Sequence, residues 1–396
     1  MFRQTMAVLA VLIASALPSA AQEQPAQTPI FGAYYPGGSA ERYPVSSIPA
    51  ERLTHLFYAF STIEDGRCAI GAEAPANFAA LAELKRRHPH LRTLISIGGW
   101  GAGGFSDAAL TEASRRRLVD SCMALFFERH AGSFDGVDID WEFPVSGGPK
   151  ELAHRPQDRA NLTKLAQAFR VALDARGKKA GQPMLLTAAL AAGRLQTDGP
   201  YDPAASYDLP ALAKVFDFIN LMSYDMGTGF SSVSTFNAPL HEVPADPLAP
   251  ELRRWNNVAC AVQYYREHGV PASKLVLGVP FYGRGFKVTG ESADGLYQAY
   301  SAPADAGDWR VIKARYLDQP GWNKHWQPQA QSPWLYNPTE KIFISYEDPR
   351  SIGLRAQFAR EQGLAGVFMW ELTGDDEQAS LLNAMLAPWQ KARVGD

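Results

Sequence analysis

Phe134-Asp135-Gly136-Val137-Asp138-Ile139-Asp140-Trp141-Glu142 sets carboxylates two residues apart in a run that is otherwise apolar and strand-forming. On a strand successive side chains alternate faces, so Asp138, Asp140 and Glu142 share one face and Val137, Ile139 and Trp141 the other. The strand rise spaces the three acids roughly 6.6 Å apart. Buried like charges at that spacing cannot all ionise independently. Their pKa values should split, leaving at least one proton-carrying acid beside ionised neighbours, which is what general acid catalysis requires. A solvated acidic face does not fit the intervening Val, Ile and Trp. A calcium loop would need Gly and polar residues where Val137 and Ile139 stand.

Outward from this run, short β-branched or aromatic stretches recur with helix-like stretches between them, the pattern of a parallel βα architecture. Strands are expected near Phe31 to Tyr35, Thr54 to Phe60, Thr93 to Ile97, Gly136 to Trp141, Leu185 to Leu190, Phe218 to Tyr224, Leu275 to Phe281 and Ala365 to Trp370. Apolar residues at mixed three and four spacing predict helices over Pro75 to Arg87, Asp107 to His130, Gln157 to Ala175 and Trp255 to His268. Eight such units closing on themselves make a TIM (β/α)8 barrel of class α/β, expected over residues 28–392. The stretch between the last two strands is too long for a structureless loop. Strand-like runs at Trp309 to Lys313 and Lys341 to Tyr346 predict a small α+β insertion subdomain there, at residues 285–345.

Catalytic groups in such a barrel come from the C-terminal ends of several strands. The third predicted strand ends in Ser96-Ile97-Gly98-Gly99-Trp100, where the glycines permit a tight turn and Trp100 offers a flat face. The sixth ends in Met222-Ser223-Tyr224-Asp225, with a phenol able to donate into the lumen. The seventh runs into Pro280-Phe281-Tyr282-Gly283-Arg284, and the eighth ends at Met369-Trp370-Glu371. Each could be core packing when taken alone.

Taken together, in order, these motifs resemble glycoside hydrolase family 18, the chitinase family. Its signature Asp-x-x-Asp-x-Asp-x-Glu matches Asp135, Asp138, Asp140 and Glu142. The Ser-x-Gly-Gly and Met-x-Tyr-Asp motifs, the terminal Trp and the insertion follow in family order. The resemblance implies that Glu142 protonates the glycosidic oxygen and later activates water. Asp140 would hold the substrate's 2-acetamido group, Asp138 would share a proton with Asp140, and Tyr224 would hydrogen-bond the acetamido carbonyl. Trp370 would lie under the sugar, and Tyr34, Phe60, Trp100, Met222, Asp225, Tyr282 and Arg284 would line the cleft. Asp135, of opposite strand parity, would give structural support, as would Ser96, Gly98 and Gly99.

The implied chemistry is substrate-assisted and retaining. The acetamido oxygen attacks the anomeric carbon to give an oxazolinium, so neither enzyme nucleophile, metal nor cofactor is required. The implied substrates are chitin and N-acetylglucosamine oligosaccharides. Rival readings are a chitin-binding lectin of the same fold, or an endo-β-N-acetylglucosaminidase acting on N-glycans or peptidoglycan-related polymers. Tyr35-Pro36-Gly37-Gly38 departs from the family's commoner polar and aromatic stretch after Tyr34.

Composition agrees with a globular enzyme: 396 residues, 46% hydrophobic and 20% charged, with 9 Trp, 15 Tyr and 20 Phe. A net charge of -3 without a basic run speaks against nucleic acid and anionic membranes as partners. A monomer is expected. Arg3, the apolar run from Met6 to Leu17, then Pro18 and Ser19-Ala20-Ala21 before Gln22 read as a secretory signal over residues 1–21, predicting an exported protein. Three widely spaced cysteines, Cys68, Cys122 and Cys260, argue against a disulfide framework or a zinc site and allow at most one bridge.

Overall fold

Residues whose side chains are apolar on both faces of a strand need cover on both sides, and a parallel sheet wrapped in helices supplies it. All six residues of Leu275–Pro280 are buried in this way, and all five of Gly136–Asp140 are buried too, although one face of that strand carries Asp138 and Asp140. The computed structural model describes residues 28–194, 201–290 and 292–392; the candidate secretory signal lies outside them. The chain order of strands is β1 (Ile30–Pro36), β2 (His55–Glu64), β3 (Arg67–Ala69), β4 (Arg92–Gly98), β5 (Gly136–Asp140), β6 (Leu185–Ala191), β7 (Phe218–Met222) and β8 (Leu275–Pro280). After β9–β13, described below, comes β14 (Gly366–Trp370). β1, β2, β4, β5, β6, β7, β8 and β14 pair in parallel and in sequence, and β14 returns to β1, closing an eight-stranded TIM barrel.

The strand positions expected from sequence hold, with one extension and one shortening of interest. β2 runs on to Glu64 because it turns back into the antiparallel β3. β5 is regular only to Asp140, so Trp141 and Glu142 lie just beyond the strand. The expected continuous helix from Asp107 to His130 is broken. A short turn at Phe105–Ala108 ends there, and Thr111 starts helix Glu112–Cys122 through a reciprocal cap with Ser114. The chain then widens into a π-helical turn over Met123–Arg129.

Between β8 and β14 stands a second sheet, formed by β9 (Arg284–Val288), β10 (Tyr300–Ala304), β11 (Asn323–Gln327), β12 (Ser332–Asn337) and β13 (Ile342–Ser345). Its order is β10-β9-β13-β12-β11, antiparallel throughout, which leaves β10 at one edge. Trp309–Lys313, expected to be extended, is part of helix Trp309–Arg315 instead: the Asp308 carboxylate accepts from the Val311 amide at 2.9 Å and caps it. Phe286, Val288, Trp334, Tyr336 and Phe343 form a separate apolar core in this insertion, and Phe236 and Val243 from the loop after β7 join it.

Two further ties cross the molecule. Cys68 and Cys122 form a disulfide joining the β2–β3 hairpin to helix Glu112–Cys122, and Cys260 is a free thiol. Arg355, fully buried on helix Pro349–Glu361, pairs with Glu347 at 2.9 Å and donates to the Ser332 hydroxyl at 2.8 Å and to the Ala238 carbonyl. It thereby joins that helix, the start of β12 and the loop after β7. Among the described residues no helix is long and apolar enough to cross a membrane.

Candidate active site

The alternation along β5 sends Asp138 into the barrel, where register sets Ser96 of β4 and Thr187 of β6 beside it. Asp138 is completely buried. Its Oδ2 accepts from the Tyr34 phenol at 2.8 Å and the Ser96 hydroxyl at 2.7 Å, and its Oδ1 accepts from the Thr187 hydroxyl at 2.6 Å. Asn220 of β7 donates in turn to Tyr34 at 3.0 Å. Burial raises the Asp138 pKa, and these donors hold the rise in check.

Asp140, one pleat towards the mouth, has little of this help. It is buried, and its Oδ1 has no hydrogen-bond partner among the described residues. Burial, then the charges of Glu142 and Asp138, push its pKa well above the usual carboxylate range. Glu142 is partly open, and burial followed by the charge of Asp225 raises it to about 8. Tyr224 is held in its neutral form, by burial first and then by Tyr282 and Asp140. Asp138 is therefore set apart from Asp140 and Glu142 by the donors that reach it.

Asp140 and Glu142 open onto a cleft of about 590 Å³ at the C-terminal end of the barrel. The structure brings together around it Tyr34, Phe60, Trp100, Met222, Tyr224, Asp225, Tyr282, Arg284 and Trp370. Phe60 and Trp370 stack with centroids 5.6 Å apart, forming an aromatic surface. Asp225 also reaches the cleft, but its Oδ1 accepts from the Tyr282 phenol and Arg284 Nε, each at 2.8 Å. Tyr34 does more than line the cleft, since its hydroxyl serves Asp138. The glycine pair is dictated by close approach. Gly98 has φ +120°, and a Cβ there would fall 2.0 Å from the Asp140 carbonyl oxygen. At Gly99, φ +90°, a Cβ would fall 2.6 Å from the Phe60 ring.

Asp135 lies at the opposite end of β5. Its Oδ1 pairs with Lys85 at 2.8 Å and its Oδ2 accepts from the Thr93 amide at 2.8 Å, so it stitches the strand base and takes no part in the cleft. Sequence reasoning missed Thr187 and Asn220, although each is a polar residue inside a strand of buried apolar ones, which is the available signal. It also missed Phe230, which lines the cleft from the loop after β7. A larger cavity of about 710 Å³, between Trp326 and helix Pro349–Glu361, shares none of these residues.

With this geometry in place, comparison with known proteins is decisive. The profile of Glycosyl hydrolases family 18 matches residues 31–375. The chain belongs to family 18. Chitinase A1 of Niallia circulans is 39% identical over 309 residues, 76% of this chain and 43% of that protein, so the chain spans well under half of this relative's length. Chitotriosidase-1 of Mus musculus is 30% identical over 350 residues, covering 87% and 72% of the two chains. Among solved structures, a family 18 N-acetylglucosaminidase from Paenibacillus barengoltzii superposes with TM-score 0.80 at 32% identity, covering 91% of this chain and all of that one. An Ostrinia furnacalis Group IV chitinase in complex with allosamidin gives 0.80 at 27%, covering 92% and 99%.

Proposed function

We propose that this family 18 chain is a chitinase, hydrolysing β-1,4 linkages between N-acetylglucosamine units with retention. The observation that carries the reading is Glu142: a carboxyl on a sugar-sized aromatic cleft that keeps its proton up to about pH 8, beside a second acid held by burial. A protonated Glu142 donates to the glycosidic oxygen as the bond breaks. As membership of family 18 implies, the nucleophile is assigned to the substrate's own acetamido oxygen, and Asp225, also on the cleft, is engaged by Tyr282 and Arg284. Asp140 has an unpartnered oxygen available to accept from the acetamido N–H, which orients the group and favours the positive charge that develops at that nitrogen in the oxazolinium. Tyr224 supplies a neutral phenol to the acetamido carbonyl. Asp138, with its set of donors, is the reservoir that can take charge when Asp140 turns towards the sugar. Ionised Glu142 then removes a proton from the water that opens the ring.

Reducing-end release from chitooligosaccharides tests this: wild type should turn over, and Glu142→Gln should lose nearly all activity while still binding. Binding without turnover by the wild type would favour the lectin reading. N-glycan cleavage in preference to chitooligosaccharides would favour the endo-β-N-acetylglucosaminidase reading. We further propose export by cleavage after Ala21 and a monomeric protein, read out by N-terminal sequencing of the secreted product and by its mass in solution.

A further inference from the structure

Among the described residues Trp100 and Phe230 are two of the few large apolar side chains left exposed, 52% and 37%, and they meet with ring centroids 6.3 Å apart at the rim of the cleft. Exposed aromatics gathered at a cleft mark a ligand surface. Trp100 follows directly from β4. Phe230 sits on a long loop after β7 that contains no helix or strand up to Pro250. Its tip turns on itself, with the Phe230 amide donating to the Thr228 hydroxyl at 3.1 Å and the Ser231 amide to the Thr228 carbonyl at 3.0 Å. A turn of this kind still needs a tie to fix it against the barrel. Tyr300 does this. Its ring packs edge-on against Phe286 in the insertion core at 4.9 Å, and its position on β10 is fixed by pairing with Val288. Its hydroxyl, thus anchored, donates towards the carbonyls on both sides of Phe230, Gly229 at 2.9 Å and Ser231 at 2.7 Å. Further along, Ser234 is tied to the insertion through the Gln298 and Gly295 carbonyls, which secures the base of the loop but not its tip.

We propose that Tyr300 is a positioning residue for saccharide binding: from the edge strand of the insertion it holds Phe230 against Trp100, and this preorganised pair sets the affinity for the sugar chain. The inference rests on the hydrolase reading above. A loop already ordered before binding loses less conformational freedom when the ligand arrives, so loss of the strut appears in KM and leaves the chemistry at Glu142 alone.

Tyr300→Phe removes the hydroxyl and keeps the ring. With a hexameric N-acetylglucosamine oligosaccharide as substrate, KM should rise roughly fivefold and kcat stay within about twofold, the scale of one lost hydrogen bond. Phe230→Ala should raise KM at least as much, and the double variant should match Phe230→Ala alone, because Tyr300 acts through that ring. Backbone amide exchange over residues 229–231 should quicken in Tyr300→Phe while barrel amides keep their protection. Additive KM effects, or unchanged exchange at 229–231, would overturn the proposal. A wild type without turnover refutes the hydrolase reading instead; the exchange measurement and the oligosaccharide Kd of the same variants then decide on Tyr300.

Discussion

Glu142 sits where two demands conflict, because burial that keeps its proton available for catalysis also opposes its ionisation during folding. Its folded value of about 8 lies above the ordinary 4.5, so the folded chain retains a proton the unfolded chain has lost. Stability from this group is intact below pH 4.5, declines as pH rises, and reaches its floor above about 8. Glu142→Gln removes the conflict. Its melting temperature should exceed that of the wild type by a margin that widens from pH 4.5 and levels off above about 8, measured by calorimetry across that range. The activity prediction has the same origin: kcat/KM should fall on the alkaline side with an apparent pKa near 8, as the acid loses its proton. A basic limb below pH 6 would contradict this assignment. At this scale the sequence was unusually readable, since alternating acids in an apolar strand have few bland explanations. What it could not reveal was which of Asp138, Asp140 and Glu142 is served by hydrogen-bond donors. What separates Asp138 from the other two is its donors from Tyr34, Ser96 and Thr187, which lie on other strands and become neighbours only through the register of the barrel.

Strands were legible because most are short runs of buried apolar residues, rich in β-branched and aromatic side chains, and their barrel order followed from their number. Helices were less so. The break at Thr111 depends on a reciprocal cap with Ser114, a signal of two small polar residues that the surrounding helical pattern masks. Trp309–Lys313 was misread because its aromatic and β-branched content suggests a strand, whereas the Asp308 cap decides the local conformation. The donors lining β5 give a prediction at this level. Thr187→Val keeps the shape of the side chain and leaves Asp138 Oδ1 without its donor at 2.6 Å. The loss of a buried hydrogen bond to a carboxyl should cost about 1–3 kcal/mol, read from chemical denaturation. Since that donor lowers the Asp138 pKa, its removal should raise it further and reduce kcat as well. A variant as stable and active as wild type would remove Thr187 from the site.

Across the whole molecule, the Cys68–Cys122 bridge closes a segment of 54 residues. No spacing rule in the sequence selects this pair; folding brings the β3 hairpin and the helix ending at Cys122 together. In the chain-entropy account a loop of that length contributes about 4 kcal/mol by restricting the unfolded state. Reduction, or Cys68→Ala with Cys122→Ala, should therefore lower the melting temperature markedly while leaving kcat close to wild type, because neither cysteine lines the cleft. The insertion was legible as a long interval rich in Trp, but its dependence on the rest of the chain was not. Phe236 and Val243 belong to the loop after β7 and yet are buried in the insertion core, and Arg355 spans the same seam from a barrel helix. For anyone recombining barrels of this family, the transferable unit is consequently discontinuous. A graft of residues 285–345 alone would carry an apolar hollow with no filling and leave Ser332 without the Arg355 guanidinium, whereas co-transfer of the 226–246 segment together with residues 347–361 keeps the joint whole.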